Sequence, residues 1–406
     1  MATTDPSLPP GAPVDPSQAQ GAQIPLLDFN LPAFPPEAAG LKALTLTSDI
    51  KLDDYQSLLS QPFTIPPLPS SIESLTLELF SLGYPAGFLA QLAARLPQLK
   101  SVVVYSQLFS GISDESQADA VDFFKGLREL RALHLLDVFA KANFFRAAGP
   151  WLRYNTSDVE GEARRGLMFL EVNYTYRHED ADFLHRVQAT ELPDLIGPGL
   201  ISCSFNISLP DAADNEDEQD PTTIQGGGGK EGIMAFNKSI APDPVSALTK
   251  EEISPQGLRA LNLTMYTLTL ENLEEVMEKQ KHLMVLNVTL EVSPGEEFKK
   301  KLIKVLEKCE NLEQVEVVAF PTLEFYMNVQ NPRHGVMEKT FPTTDDLEAL
   351  SSRLPKLAGF KANILKTTSM ALVELEKKDG KWTGGVSNAG NVRAHESAGV
   401  IATSSG

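Results

Sequence analysis

The sequence predicts an α/β fold of stacked helix–strand units, one layer of parallel strands and one of helices. Three observations carry that expectation. One apolar pattern, apolar-x-x-apolar-x-apolar, recurs ten times along the 406 residues. Amphipathic helical spacing precedes most copies. Caps and prolines mark where those helices start and stop.

The copies are Leu41/Leu44/Leu46, Ile72/Leu75/Leu77, Leu99/Val102/Val104, Leu130/Leu133/Leu135 and Leu167/Leu170/Val172. They continue as Leu200/Cys203/Phe205, Leu258/Leu261/Leu263, Leu283/Leu286/Val288, Leu312/Val315/Val317 and Leu357/Phe360/Ala362. Their starts lie 31, 27, 31, 37, 33, 58, 25, 29 and 45 residues apart. In each copy the last apolar positions alternate with outward ones, as in a strand with one buried face.

Helical spacing is clearest in Phe298–Lys308, where Phe298, Leu302, Val305 and Leu306 share a face. Ser293 as N-cap, Pro294 after it and Glu296 closing a capping box mark its expected start. Ser113 is placed to cap a helix over Asp114–Leu127, and Thr343 or Thr344 one over Asp345–Leu354. Leu96-Pro97 and Leu354-Pro355 end helices at proline and lead into the next strand. Ala371–Lys377, Asp379-Gly380 and Lys381–Thr383 predict a β-hairpin with a type I′ turn, closing the array. A single helix–strand unit cannot bury its apolar face alone, so stacking must build the core.

This pattern resembles the leucine-rich-repeat superfamily, in the irregular form of fungal F-box-associated proteins, over about residues 36–365. The resemblance implies a horseshoe solenoid with parallel strands on its concave face and helices on its convex face. The family's asparagine at the ninth repeat position is replaced throughout, by Asp49, Phe80, Gln107, Val138, Thr175, Ser208, Tyr266, Glu291, Phe320 and Leu365. Without that ladder the turns between coils should be irregular. No F-box is recognisable ahead of the repeats.

Residues 1–35, rich in proline, and 384–406 are expected to be disordered, with Ile24–Phe34 the part apolar enough to dock onto the first repeat. The acidic, glycine-rich stretch 211–232 is expected as a disordered insert within the repeat domain, 36–383.

The formal net charge of −19 argues against nucleic acid and anionic membranes, both of which require basic residues. Two cysteines cannot make a disulfide framework or a metal-ligand motif. No secretory signal and no long apolar run is visible, so a cytoplasmic protein is expected, with the nucleus as the other compartment. Four of six Asn-x-Ser/Thr sequons, at Asn173, Asn206, Asn262 and Asn287, fall on expected strands and read as structural.

Chemistry-bearing candidates are few. Gly-x-Ser-x-Gly is absent. Gly226–Lys230 has the glycines and lysine of a phosphate loop, but Glu231 stands where Ser or Thr is needed. His178, Asp182 and His185 have helical spacing for zinc or iron, yet Glu179, Asp180 and Asp182 also suit a helix first turn. The run Asp211–Asp220 lacks calcium-loop spacing. Cys203 and Cys309 read as buried thiols, and Trp151 and Trp382 as packing residues. No catalytic residue, metal ligand or cofactor is assigned.

The informative set is the outward strand positions. They are mostly Asn, Thr and Glu, interrupted by an apolar and aromatic patch: Val103, Tyr105, His134, Leu136 and Phe169, with Glu171 and Asn173 beside it. Exposed apolar residues on a strand surface suit a partner's anchor. The expectation is a monomeric, non-enzymatic scaffold or adaptor that binds a protein there. The alternatives are an enzyme or small-molecule binder using His134, Glu171 and His178, a ubiquitin-ligase substrate receptor, and a passive structural protein.

Overall fold

The ten sequence copies become ten strands. The computed structural model describes residues 21–153, 166–175, 187–208, 238–253, 257–321, 335–364 and 371–388. All three apolar positions of every copy are buried; the most exposed, Leu41, shows 7% of its surface. Two compact units divide the chain, Met1–Leu130 and Arg131–Gly406.

In the first unit, β1 (Gly21–Leu26), β2 (Ala43–Ser48), β3 (Ser74–Glu78) and β4 (Ser101–Tyr105) pair in parallel in chain order. Equivalent residues share a register: Leu44 faces Leu75, which faces Val102. The helices are α1 (Leu52–Leu58), α2 (Phe88–Arg95) and α3 (Asp114–Gly126). Ser113 caps α3 in a reciprocal capping box with Ser116. The turn of α2 starts on Gly87, which offers no side chain. Asp119 of α3 fills that role by accepting from Leu89 N and Ala90 N, each at 3.0 Å. Burial pushes its carboxyl up against the opposing pull of those amides.

Of the segment 1–35 expected to be loose, Ile24–Phe34 docks onto the first repeat as its apolar content suggested, residues 21–35 are ordered with Gly21–Leu26 as β1, and 1–20 lie outside the described residues. Leu26, Phe29 and Leu31 are buried, and Leu31 N donates to Thr64 O at 3.0 Å. Ala22, Ile24 and Leu26 alternate, but Pro25 and Gln23 obscure the pattern. Pro25 suits an outer strand paired on one side only. Phe29 stacks or edges onto Tyr55, Phe80, Tyr84 and Phe88. An aromatic cluster thus fills the space between the turn after β3 and the start of α2.

In the second unit, β5 (Ala132–Leu136), β6 (Phe169–Thr175), β7 (Ser202–Ser208), β8 (Ala260–Leu268), β9 (Val285–Val292), β10 (Gln314–Pro321) and β11 (Gly359–Ile364) run parallel in chain order. The described helices between them are α4 (Phe144–Arg153), α5 (Pro242–Leu248), α6 (Leu270–Lys279), α7 (Glu296–Leu306), α8 (Val336–Thr340) and α9 (Thr344–Leu350). Thr343 caps α9 in a capping box with Asp346.

The expected start of α7 is corrected. Its N-cap is Gly295 at φ 116°, with no side-chain cap. The left-handed backbone that only glycine takes easily moves Ser293 and Pro294 outside the helix, and Thr340 Oγ1 accepts from Gly295 N at 3.0 Å.

The terminal hairpin, β12 (Ala371–Lys378) and β13 (Lys381–Asn388), pairs antiparallel with β11. Asp379 (φ 51°) and Gly380 (φ 80°) both have the positive φ of a type I′ turn. The hairpin reaches Asn388, so 384–388 belong to it rather than to a loose tail. The insert 211–232 lies outside the described residues.

Candidate functional site on the open strand faces

Inward positions being filled by the repeat pattern, the alternate positions form an open face in each unit. In the first unit, Val103 pairs with Thr76 and Tyr105 with Glu78. Tyr105 is 45% exposed. Glu78 accepts from Thr47 Oγ1 at 3.2 Å, and Thr47 in turn accepts from Gln23 Nε2 at 3.2 Å.

In the second unit, Phe169 pairs with Ala132, Glu171 with His134, and Asn173 with Leu136. The fold thus brings together five of the seven sequence-derived site residues, His134, Leu136, Phe169, Glu171 and Asn173, on two neighbouring strands. His134 Nδ1 and Glu171 Oε2 are 2.8 Å apart, with side chains 33% and 40% exposed. A carboxylate can only accept, so this bond fixes a proton on Nδ1. Asp137, at φ 52°, locks the strand ends beside the pair. It accepts from Thr175 N at 2.7 Å and Thr175 Oγ1 at 3.0 Å.

Neutral side chains continue the face. Asn206 Nδ2 donates to Asn173 Oδ1 at 3.3 Å, and Thr264 Oγ1 lies 2.5 Å from Asn206 Oδ1 and 2.9 Å from Asn262 Oδ1. The four strand sequons sit on β6–β9 as expected, three of them in this network. Asn287 Oδ1, beside it, is buried without a hydrogen-bond partner among the described residues.

A bulge that sequence reading missed shapes this region. The register of β8 on β9 jumps from Leu263 to Thr267. Met265 and Tyr266 turn fully inward, and Tyr266 Oη donates to Ala189 O at 2.8 Å. Two large apolar residues in succession, Met265-Tyr266, were the available signal, because they break strand alternation. Beside the bulge Thr289, outward by strand alternation after Val288, is buried and donates to Thr264 O at 2.9 Å.

The other candidates separate cleanly. Burial pushes the Cys203 thiol up to about 12, so it stays protonated. Cys309 is buried, its Sγ 3.4 Å from Gln280 O and Leu283 O. Trp382 is buried. His178, Asp182, His185 and Gly226–Lys230 lie outside the described residues. Among the described residues no group of three His, Cys, Asp or Glu is placed to hold a metal, and no helix is long and apolar enough to cross a membrane. An apolar recess of about 310 Å³, lined by Ala22, Ile24, Pro32, Ala33, Phe34, Pro35, Ala38 and Leu41, gathers no titratable group. No protein-family model matches the chain, and no curated protein matches it.

Proposed function

We propose that both units are irregular leucine-rich-repeat coils, and that the chain is a non-catalytic scaffold or adaptor binding a protein on its open strand faces. The observation that supports this reading best is the make-up of those faces. Short polar side chains are already fixed by bonds to one another, so binding immobilises little that was free. Half-exposed Tyr105 and Phe169 offer rigid aromatic area for anchoring. The expected setting is cytoplasmic, as a monomer, with neither nucleic acid nor membrane as partner.

Affinity purification of the tagged chain from its native host, followed by titration of a reproducible partner, tests the reading. Tyr105→Ala with Leu136→Ala should cost about 2 kcal/mol, or roughly thirtyfold in affinity. An unchanged affinity, or no reproducible partner, overturns it.

The His134–Glu171 pair favours a second reading, a small-molecule or acid–base site on the same face. The bond to Glu171 holds the ring so that Nε2 is left to exchange a proton with a ligand. Under that reading His134→Ala would abolish binding of the small molecule, measured by calorimetry.

A further inference from the structure

We propose that the carboxyl edge of the first unit's sheet docks a lysine- or arginine-rich, apolar-studded segment of a partner protein; this rests on the protein-binding reading and names the partner's chemistry. Among the described residues of that unit, the large apolar residues that stand exposed end a strand or lie in the segment that leaves its carboxyl end. Leu27 follows β1, Leu52 opens the helix after β2, Leu79 follows β3, Tyr105 ends β4, and Ile112 lies between β4 and α3. Their exposures run from 45% to 77%. The strand ends are neighbours, since Asp49 N donates to Leu26 O and Leu79 N to Tyr105 O, each at 2.8 Å. Gly83 brings the turn after Leu79 against the loop leading to Ile112; a Cβ there would sit 2.8 Å from Leu108 O.

Charge selects the occupant. Asp28, Asp49, Asp53, Asp54 and Glu78 stand on this edge without an ion pair among the described residues, beside the lone base Lys51. Asp53 and Asp54 also serve the first turn of α1, but Asp28, Asp49 and Glu78 lie on no helix. At the opposite edge Lys42 and Lys100 both pair with Glu73, at 2.8 and 2.9 Å, so the unit is polarised along its strands. An acidic, leucine-bearing rim attracts a basic amphipathic segment and repels a second copy of this chain, whose net charge is −19.

The test is fluorescence anisotropy of the full chain with three synthetic peptides at helical spacing: leucine with lysine, leucine with glutamate, and serine with lysine. The leucine–lysine peptide should bind tightest and weaken with salt above about 0.15 M. Leu27→Ser with Leu79→Asn should weaken it by about tenfold or more. Asp49→Lys, Asp53→Lys and Asp54→Lys together should do the same and flatten the salt dependence. Neutralising three acids elsewhere, Asp122→Asn, Glu310→Gln and Glu348→Gln, should change affinity by no more than about twofold. All substituted positions are exposed or half-exposed, and melting temperatures no lower than the parent's confirm folding. Overturning results are edge variants that bind like the parent, distant neutralisation that weakens binding equally, or a serine–lysine peptide that binds as well. Tyr105 is left intact because both readings use it. Edge variants that are silent while Leu136→Ala releases the native partner defeat this proposal and leave the strand-face reading standing.

Discussion

Leu79 has φ 62° and 52% of its surface exposed. The left-handed region costs a non-glycine residue about 1–2 kcal/mol, and half of the side chain still stands in solvent. Asp137 holds the equivalent place after β5, but its carboxylate bonds Thr175 and stabilises the bend. Asparagine tolerates left-handed backbone, so Leu79→Asn should raise stability by up to about 1 kcal/mol, read as a higher melting temperature by calorimetry. A lower temperature would mean that the leucine packs against something in the folded chain. Glu73 makes a second residue-scale prediction. Lys42 and Lys100 hold its carboxyl at about 2, against 4.5 in the ordinary case. A depressed carboxyl adds stability that is complete above its unfolded value and is lost as pH falls through its folded one. Glu73→Gln should therefore lower the melting temperature slightly at neutral pH and soften its decline between about pH 5 and pH 2.5, the two proteins converging as pH falls.

At the scale of elements, the helices show what a local signal reaches. Ser113 and Thr343 cap α3 and α9 as their spacing predicts, because a capping box joins residues three apart. The start of α2 was not legible in this way, since its cap comes from Asp119, about thirty residues on. Asp119→Ala removes the acceptor for Leu89 N and Ala90 N and should cost about 1–2 kcal/mol in urea unfolding. Asp119→Asn, keeping one acceptor, should lose less; equal losses would deny the cap. The β8 bulge was hidden for the same reason. Tyr266 turns inward to reach Ala189, a residue brought near only by the stacked coils. The docking of Ile24–Phe34 was legible, but the strand character of β1 escaped because an outer strand needs only half the pattern and tolerates Pro25.

At the scale of the whole molecule, the repeat itself was the most legible feature. Thirty positions had to be apolar at once for stacked strands to bury them, and no local accident produces that spacing. The outward positions followed by parity alone, which is why His134 and Glu171 were correctly placed on one face. Their hydrogen bond, and the Asn173–Asn206–Thr264 network, depend on which strands become neighbours and in what register. The electrostatic polarity of the first unit was equally invisible, because −19 is a sum and the rim is a distribution. The central claim is that the open strand faces bind a protein. Its most direct test replaces Tyr105 and Phe169, in separate variants expressed in the native host, by a photo-crosslinking amino acid, with Lys125 on α3 as the control position. The account predicts one reproducible protein adduct from the face positions and none from Lys125. Adducts from Lys125 alone, or none from either face position, would contradict it.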